Sequence, residues 1–229
     1  MAGKKESSLV GISTEFKNHK EEGWIPLDQP STKKARPSVL LHSCCGPCST
    51  AVIERLAADY QVTVYFYNPN ITDRDEYLRR REAQQQCINA FNEDPTNPWH
   101  IGFMEGEYER EEFFVRCKGL EEQPEGGRRC EVCYKMRLEK TAQMAGLIGY
   151  DLFTTTLSVS PHKDYSVISH IGKSLAATYG VGFLDQDFKK KAGFQRSVEL
   201  SKKYNLYRQD YCGCVFANYH LKKENQENV

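Results

Sequence analysis

Three tight groups of cysteines mark this 229-residue chain: Cys44, Cys45 and Cys48; Cys130 and Cys133; Cys212 and Cys214. Cys45 to Cys48 and Cys130 to Cys133 have C-x-x-C spacing, which lets two thiolates grip one metal ion or cluster. Two such pairs can build a tetrahedral zinc site. These pairs, however, lie far apart in the sequence, and Cys44 beside Cys45 exceeds what a closed zinc site uses. More thiolates than one zinc needs points to an iron–sulfur cluster, with a second metal alongside as an option. Cys212-Gly213-Cys214 suits a strained, readily reduced disulfide and hence a redox-active pair, although Cys212 can equally complete a cluster. Cys87 beside Ile88, and Cys117 after Phe113 and Phe114, read as packing residues.

Positive charge and aromatic rings supply the other candidates. Ser158 to Asp164 precedes a helix whose free amides, with Lys163, suit a phosphate, and His162 can donate a proton there. Lys189, Lys190 and Lys191, followed by Arg196, Tyr207 and Arg208, form a basic, tyrosine-rich stretch of the kind that stacks bases while holding phosphates. Arg79-Arg80-Arg81 is a second run that can form a local basic face, and for both runs the bland alternative is a solvated helix face.

The elements that must position these residues alternate. Ser38 to Ser43 reads as a buried strand running into the Cys44–Cys48 turn, with a helix from about Ser49 to Tyr60 capped by Ser49 or Thr50. A cysteine at such a helix start feels the positive end of the dipole, which favours thiolate. Val62 to Tyr67 is a β-branched and aromatic strand, and Trp99 to Gly102 a weaker one. Asp151 to Thr155 and Val181 to Leu184 complete five strands. Helices are expected near Thr72–Phe91, Arg110–Lys118, Glu131–Ile148 and Tyr165–Tyr179, with two short ones after Gly193. Met136, Leu138, Ala142, Ala145 and Leu147 are the expected core of the third of these helices. Alternation of this kind predicts an α/β fold, a doubly wound, Rossmann-like parallel sheet with helices on both faces and a helical C-terminal extension. The expected organisation is a tail over 1–37, one domain over 38–220 and a frayed end over 221–229.

Composition narrows the class. Lysine and arginine number 31, aspartate and glutamate 31, so the chain is no general nucleic-acid coat, though a local basic face is compatible with it. No apolar run suits a membrane span or a secretory leader. A cytoplasmic location follows as the expectation, and there nine cysteines speak for metal binding or catalytic thiols over a disulfide framework.

Four strings together resemble the QueH family of epoxyqueuosine reductases: Leu41 to Cys48, Arg129 to Leu138, Thr155 to Lys163, and Asp187 to Lys191 continuing through Tyr211 to Cys214. The resemblance covers about residues 38 to 217 and implies a HUP-type sheet of five strands. It implies reduction of epoxyqueuosine to queuosine at the wobble position of tRNA, the last step of queuosine biosynthesis. A 4Fe-4S cluster is implied, with Cys44, Cys45, Cys130 and Cys133 as ligands and Cys48 on the cluster or on an adjacent mononuclear iron. Cys212 and Cys214 match the redox-active pair of the family, served by an electron donor that the sequence does not identify. Lys163, Lys189, Lys190, Lys191, Arg196, Tyr207 and Arg208 are then the expected contacts to tRNA. Two rivals stand beside this reading. An ATP-using tRNA thiolase would need a phosphate-cradling Ser-Gly-Gly loop where Ser43 to Cys48 stands, and a zinc-stabilised RNA-binding module would be colourless.

Overall fold

A computed structural model describes residues 36–217. Apart from Arg36 and Pro37, the expected tail, with its helical stretch near Phe16 to Glu22 and Trp24, lies outside the described residues, as does the expected frayed end. The elements in chain order are β1 (Ser38–Ser43), α1 (Gly46–Leu56), β2 (Gln61–Phe66), α2 (Arg74–Asn92), β3 (Gly102–Glu105) and α3 (Arg110–Cys117). There follow α4 (Arg128–Ile148), β4 (Leu152–Thr155), α5 (Tyr165–Tyr179), β5 (Gly182–Phe183) and α6 (Gly193–Lys203). A short 3-10 turn, Thr156–Val159, leaves β4.

All five strands pair in parallel, in the order β3-β2-β1-β4-β5. Val39, Leu40 and Leu41 on the central strand are wholly buried, as a strand covered on both faces requires. Successive side chains point to opposite faces. Leu40 joins the core beneath α4 and α5 with Leu138, Phe153 and Ile168, while Val39 and Leu41 join the core beneath α1 and α2 with Val52, Ile53 and Ile88. The α/β sheet of the sequence reading is the observed one.

Several boundaries differ. Helix α1 begins at Gly46, because Pro47 fits the first turn where its missing N–H costs nothing. No side chain caps it: Ser49 Oγ donates back to the Cys45 carbonyl at 3.0 Å and Thr50 Oγ1 to that of Pro47 at 2.9 Å. Strand β3 starts at Gly102 instead of Trp99, since the Asn92 side chain accepts from the Ile101 amide and donates to its carbonyl, holding the preceding loop to α2. Leu147 is 80% exposed and no core residue, whereas Met136, Leu138, Ala142 and Ala145 are buried as expected. After Gly193 there is one helix among the described residues, α6; Asn205 turns the chain with φ 49° and Leu206 to Phe216 runs without regular structure.

Candidate functional site

The strand order reverses between β1 and β4, so the crevice beyond their carboxyl ends is the natural ligand site of this sheet. Cys44 and Cys45 follow β1 directly, and Ser160 to Lys163 follow the turn after β4. His42, wholly buried, ties the strands together there: Nε2 donates to the Tyr67 carbonyl at 3.1 Å, so Nδ1, 2.8 Å from Thr155 Oγ1, is the acceptor. Burial, with the nearby Arg137 charge, pushes its pKa down to about 3 and keeps the ring neutral. Gly46 sits where α1 touches α2; a Cβ there would lie 2.2 Å from the Ala83 carbonyl oxygen. Beneath the turn, the hydroxyls of Ser43 and Ser49 both reach Gln84 Oε1, at 2.5 and 2.7 Å.

The sulfurs of Cys44, Cys45 and Cys48 all lie within 4.8 Å of one another, a group able to hold a metal. Cys44 and Cys45 Sγ are 3.8 Å apart, about the edge of a tetrahedron with metal–sulfur bonds of about 2.3 Å. The Cys44 thiol is held well below its ordinary pKa by hydrogen bonds from Cys45 and Cys48, with help from the Lys163 and Arg137 charges. Cys45 is pushed up to about 12 chiefly by burial, and Cys48 is pushed well up by its hydrogen bonds to the other two. Among the three, the thiolate form is therefore favoured most at Cys44.

Cys130 and Cys133 lie in the first turns of α4 and share a narrow crevice of about 10 Å³ with Phe113, Arg129, Cys212 and Cys214. Cys44 and Cys48 open instead on a cavity of about 450 Å³ with Arg80, Arg137, His162, Arg208 and Tyr211. Lys163, Cys212 and Glu125 line both, so the Cys212 segment stands between the two cysteine groups. Burial pushes Cys133 up to about 12 and Cys214 up to about 11.

Helix α2 holds that segment in place. Glu76 and Arg80, 0% and 2% exposed, pair at 2.6 Å. Arg80 then donates to the carbonyls of Tyr211 at 3.0 Å and Cys212 at 3.1 Å. The Thr72 amide donates to the Gly213 carbonyl, and the Val215 amide to Thr72 Oγ1. Gly213 has φ +93°, and a Cβ there would meet Ile71 and Arg80 at 3.1 and 3.2 Å. The Gln209 amide donates to Cys45 Sγ at 2.8 Å, joining the segment to the first cysteine turn.

The predicted residues thus fall into place unevenly. Six of the seven clustered cysteines line the two adjoining spaces and Cys45 lies buried against Cys44 and Cys48, while Cys87 and Cys117 are buried packing residues as read. His162 is exposed on the cavity wall. The α5 start is no free anion site, because the Asp164 carboxylate accepts the Ser166 amide at 2.7 Å. Lys189 Nζ donates to the Lys163 carbonyl, Lys190 and Lys191 are exposed, and Arg55 pins the turn by donating to the Lys191 carbonyl at 2.8 Å. Arg196 is engaged by Glu54 and Glu199. Tyr207 donates to Glu76 at 2.8 Å, and Arg208 lies over the Phe194 ring at 5.2 Å on the cavity rim. The solvated reading of Arg79-Arg80-Arg81 fails for Arg80, whose guanidinium is a structural tie. Sequence reasoning did not single out Arg80 as a tie, nor Arg137, Gln209 or His42; a charged residue on an otherwise core-facing helix stripe is the signal for the two arginines.

A family model described as "Epoxyqueuosine reductase QueH" matches residues 39–220. The protein of that name from Streptococcus pyogenes serotype M1 is 45% identical over 185 residues, 81% of this chain and 72% of its own. That from Haemophilus influenzae is 41% identical over 181 residues, 78% of this chain and 71% of its own. That from Thermotoga maritima is 38% identical over 194 residues, covering 83% and 95% respectively.

Proposed function

The chain belongs to the family of epoxyqueuosine reductases QueH, and from that premise we propose that it reduces epoxyqueuosine in tRNA with a thiolate-bound metal centre and a cysteine pair. The observation that carries the reading is the convergence of six cysteines on two adjoining spaces at the switch point of the sheet, with Cys45 buried within 4.8 Å of Cys44 and Cys48.

The donor set fits a thiolate-ligated metal. Three sulfurs converge without a histidine or carboxylate among them, beside two basic side chains that favour anionic sulfur. Cys44, Cys45, Cys130 and Cys133 would hold a 4Fe-4S cluster, and Cys48 would serve it or an adjacent iron. When bound, such a centre supplies electrons singly, and an open iron position supplies Lewis acidity.

The chain's own residues account for the balance of the reaction. Removing the epoxide oxygen breaks two C–O bonds and forms an alkene; oxidation of the Cys212 and Cys214 thiols to a disulfide releases the two electrons and two protons that carry the oxygen away as water. A thiol or electron-carrying protein must then reduce the disulfide. Gly213 permits the turn that brings both thiols to the same crevice, and Arg80 holds the Cys212 carbonyl. The cavity mouth, with Phe194, Arg208 and Tyr211, offers rings and a guanidinium to an unstacked base. Lys189, Lys190, Lys191 and Tyr207 would meet the surrounding anticodon loop, and Arg196 would do so only by leaving Glu54. His162, exposed at the mouth, would pass a proton to the departing oxygen.

Anaerobic purification followed by iron and sulfide counting tests the centre: about four of each per chain is expected for a 4Fe-4S cluster. Turnover of epoxyqueuosine tRNA, abolished in Cys212→Ser and Cys214→Ser, tests the pair. Stoichiometric zinc without colour would sink the redox reading.

A further inference from the structure

Two cations at the site have no carboxylate to answer them. The Arg137 side chain is 2% exposed, its Nε donates to the Cys133 carbonyl at 3.4 Å, and its Nη2 has no partner. The guanidinium lines the cavity that Cys44, Cys48 and Cys212 also line. Lys163, half-buried, lines that cavity and also the crevice of Cys130, Cys133 and Cys214. Among the described residues no carboxylate lies within ion-pairing distance of either. The acidic residues on the cavity wall, Glu125 and Asp210, are exposed.

A buried guanidinium without an anion is strongly unfavourable, so something negative belongs beside it. Among the described residues the concentrated anionic capacity in reach is sulfur.

We propose that Arg137 and Lys163 are positioning residues for the thiolate centre, its resident counter-ions, and that they set its reduction potential. The inference rests on the reading that these cysteines bind an iron–sulfur cluster. Such a cluster with its thiolates is anionic and becomes more so by one unit on reduction, so cations fixed beside it favour the reduced form. Arg137 comes from α4 and Lys163 from the loop before α5, and both line the cavity that Cys44, Cys48 and Cys212 also line. Their charges then help the centre hold the electron it passes on. A phosphate grip is the competing use of the same charges, and the 2% exposure of Arg137 argues against it.

The test is a redox titration of the full-length holoprotein, prepared without oxygen, beside Arg137→Gln, Arg137→Lys and Lys163→Gln. Glutamine at 137 keeps a hydrogen-bond donor and removes the charge. In Arg137→Gln and Lys163→Gln the equilibrium should move about tenfold toward the oxidised form, about 59 mV more negative for a one-electron couple. Arg137→Lys should stay near the unsubstituted value. Should Arg137→Gln fail to accumulate, Lys163→Gln and Arg137→Lys decide the matter. Unchanged potentials in variants with full iron and sulfide would overturn the proposal. So would weaker tRNA affinity with no change in potential, which would assign the cations to phosphate. If the unsubstituted protein binds no cluster, the cofactor reading itself fails, and that result is visible before any variant is compared.

Discussion

Among Cys44, Cys45 and Cys48 the thiolate is favoured at Cys44, to which the other two thiols hydrogen-bond, while burial and those same hydrogen bonds disfavour ionising Cys45 and Cys48. In the metal-free protein at neutral pH, iodoacetamide should therefore label Cys44 at least about tenfold faster than Cys45, as nucleophilicity follows thiolate content; peptide mass spectrometry reads the order. His42 shows the converse effect, a ring kept neutral by burial with a pKa near about 3. In the unfolded chain its pKa returns to about 6.5, so between those values the unfolded state binds the extra proton. Stability contributed by the neutral ring is complete above about pH 6.5 and is lost on acidification toward the folded value, by about 1.4 kcal/mol per pH unit. Denaturant midpoints measured from pH 7 to 4 should show that slope, and His42→Gln should flatten it.

Helix α2 is the element that holds the Cys212 segment in place. Burial opposes ionisation of Glu76, but hydrogen bonds from Arg80, Tyr207 and Arg79 outweigh it and hold the carboxyl below its usual range. Glu76→Ala leaves Arg80 buried without its partner, and the expected cost of breaking such a pair is about 3–5 kcal/mol; Glu76→Gln, which can still accept from Arg80 Nε, should lose less. Urea unfolding compares the two. At the crossing of α1 and α2, Gly46→Ala drives a Cβ to 2.2 Å from the Ala83 carbonyl oxygen. The helices must part, so a destabilisation of about 1–3 kcal/mol or more is expected in the same experiment, with metal uptake by the adjoining turn reduced as well.

For the molecule as a whole the charge is balanced, 31 against 31, so under the proposed function attraction to tRNA is assigned to the local basic turn after β5 and the cavity rim. Replacing Lys190 and Lys191 by glutamine should weaken tRNA binding similarly for different anticodon-loop sequences. It should also flatten the dependence of log affinity on log salt, by about one for each phosphate that is no longer neutralised. Filter binding between low and moderate salt measures this. Among the described residues no helix is long and apolar enough to cross a membrane.

Local pattern was enough to reveal the alternation of strands and helices, the parallel sheet and the three cysteine groups, because periodic burial and C-x-x-C spacing are properties of neighbouring residues. The boundaries of α5, Tyr165 to Tyr179, were legible to the residue, since Asp164 caps one end and Gly180 terminates the other. The start of β3 was not, because Asn92 reaches across from α2 to hold the loop before it. Nor could spacing say that Cys130 and Cys133 share a crevice with Cys212 and Cys214 while Cys44 and Cys48 open on the adjoining cavity. It was equally silent on Arg80, one of three consecutive arginines, which turns inward to Glu76 and the Cys212 segment more than 130 residues away. Those facts belong to tertiary structure alone: which buried charge meets which sulfur or carbonyl depends on the crossover of β1 and β4 and the packing of α2 and α4 around it, and no local sequence signal encodes that meeting.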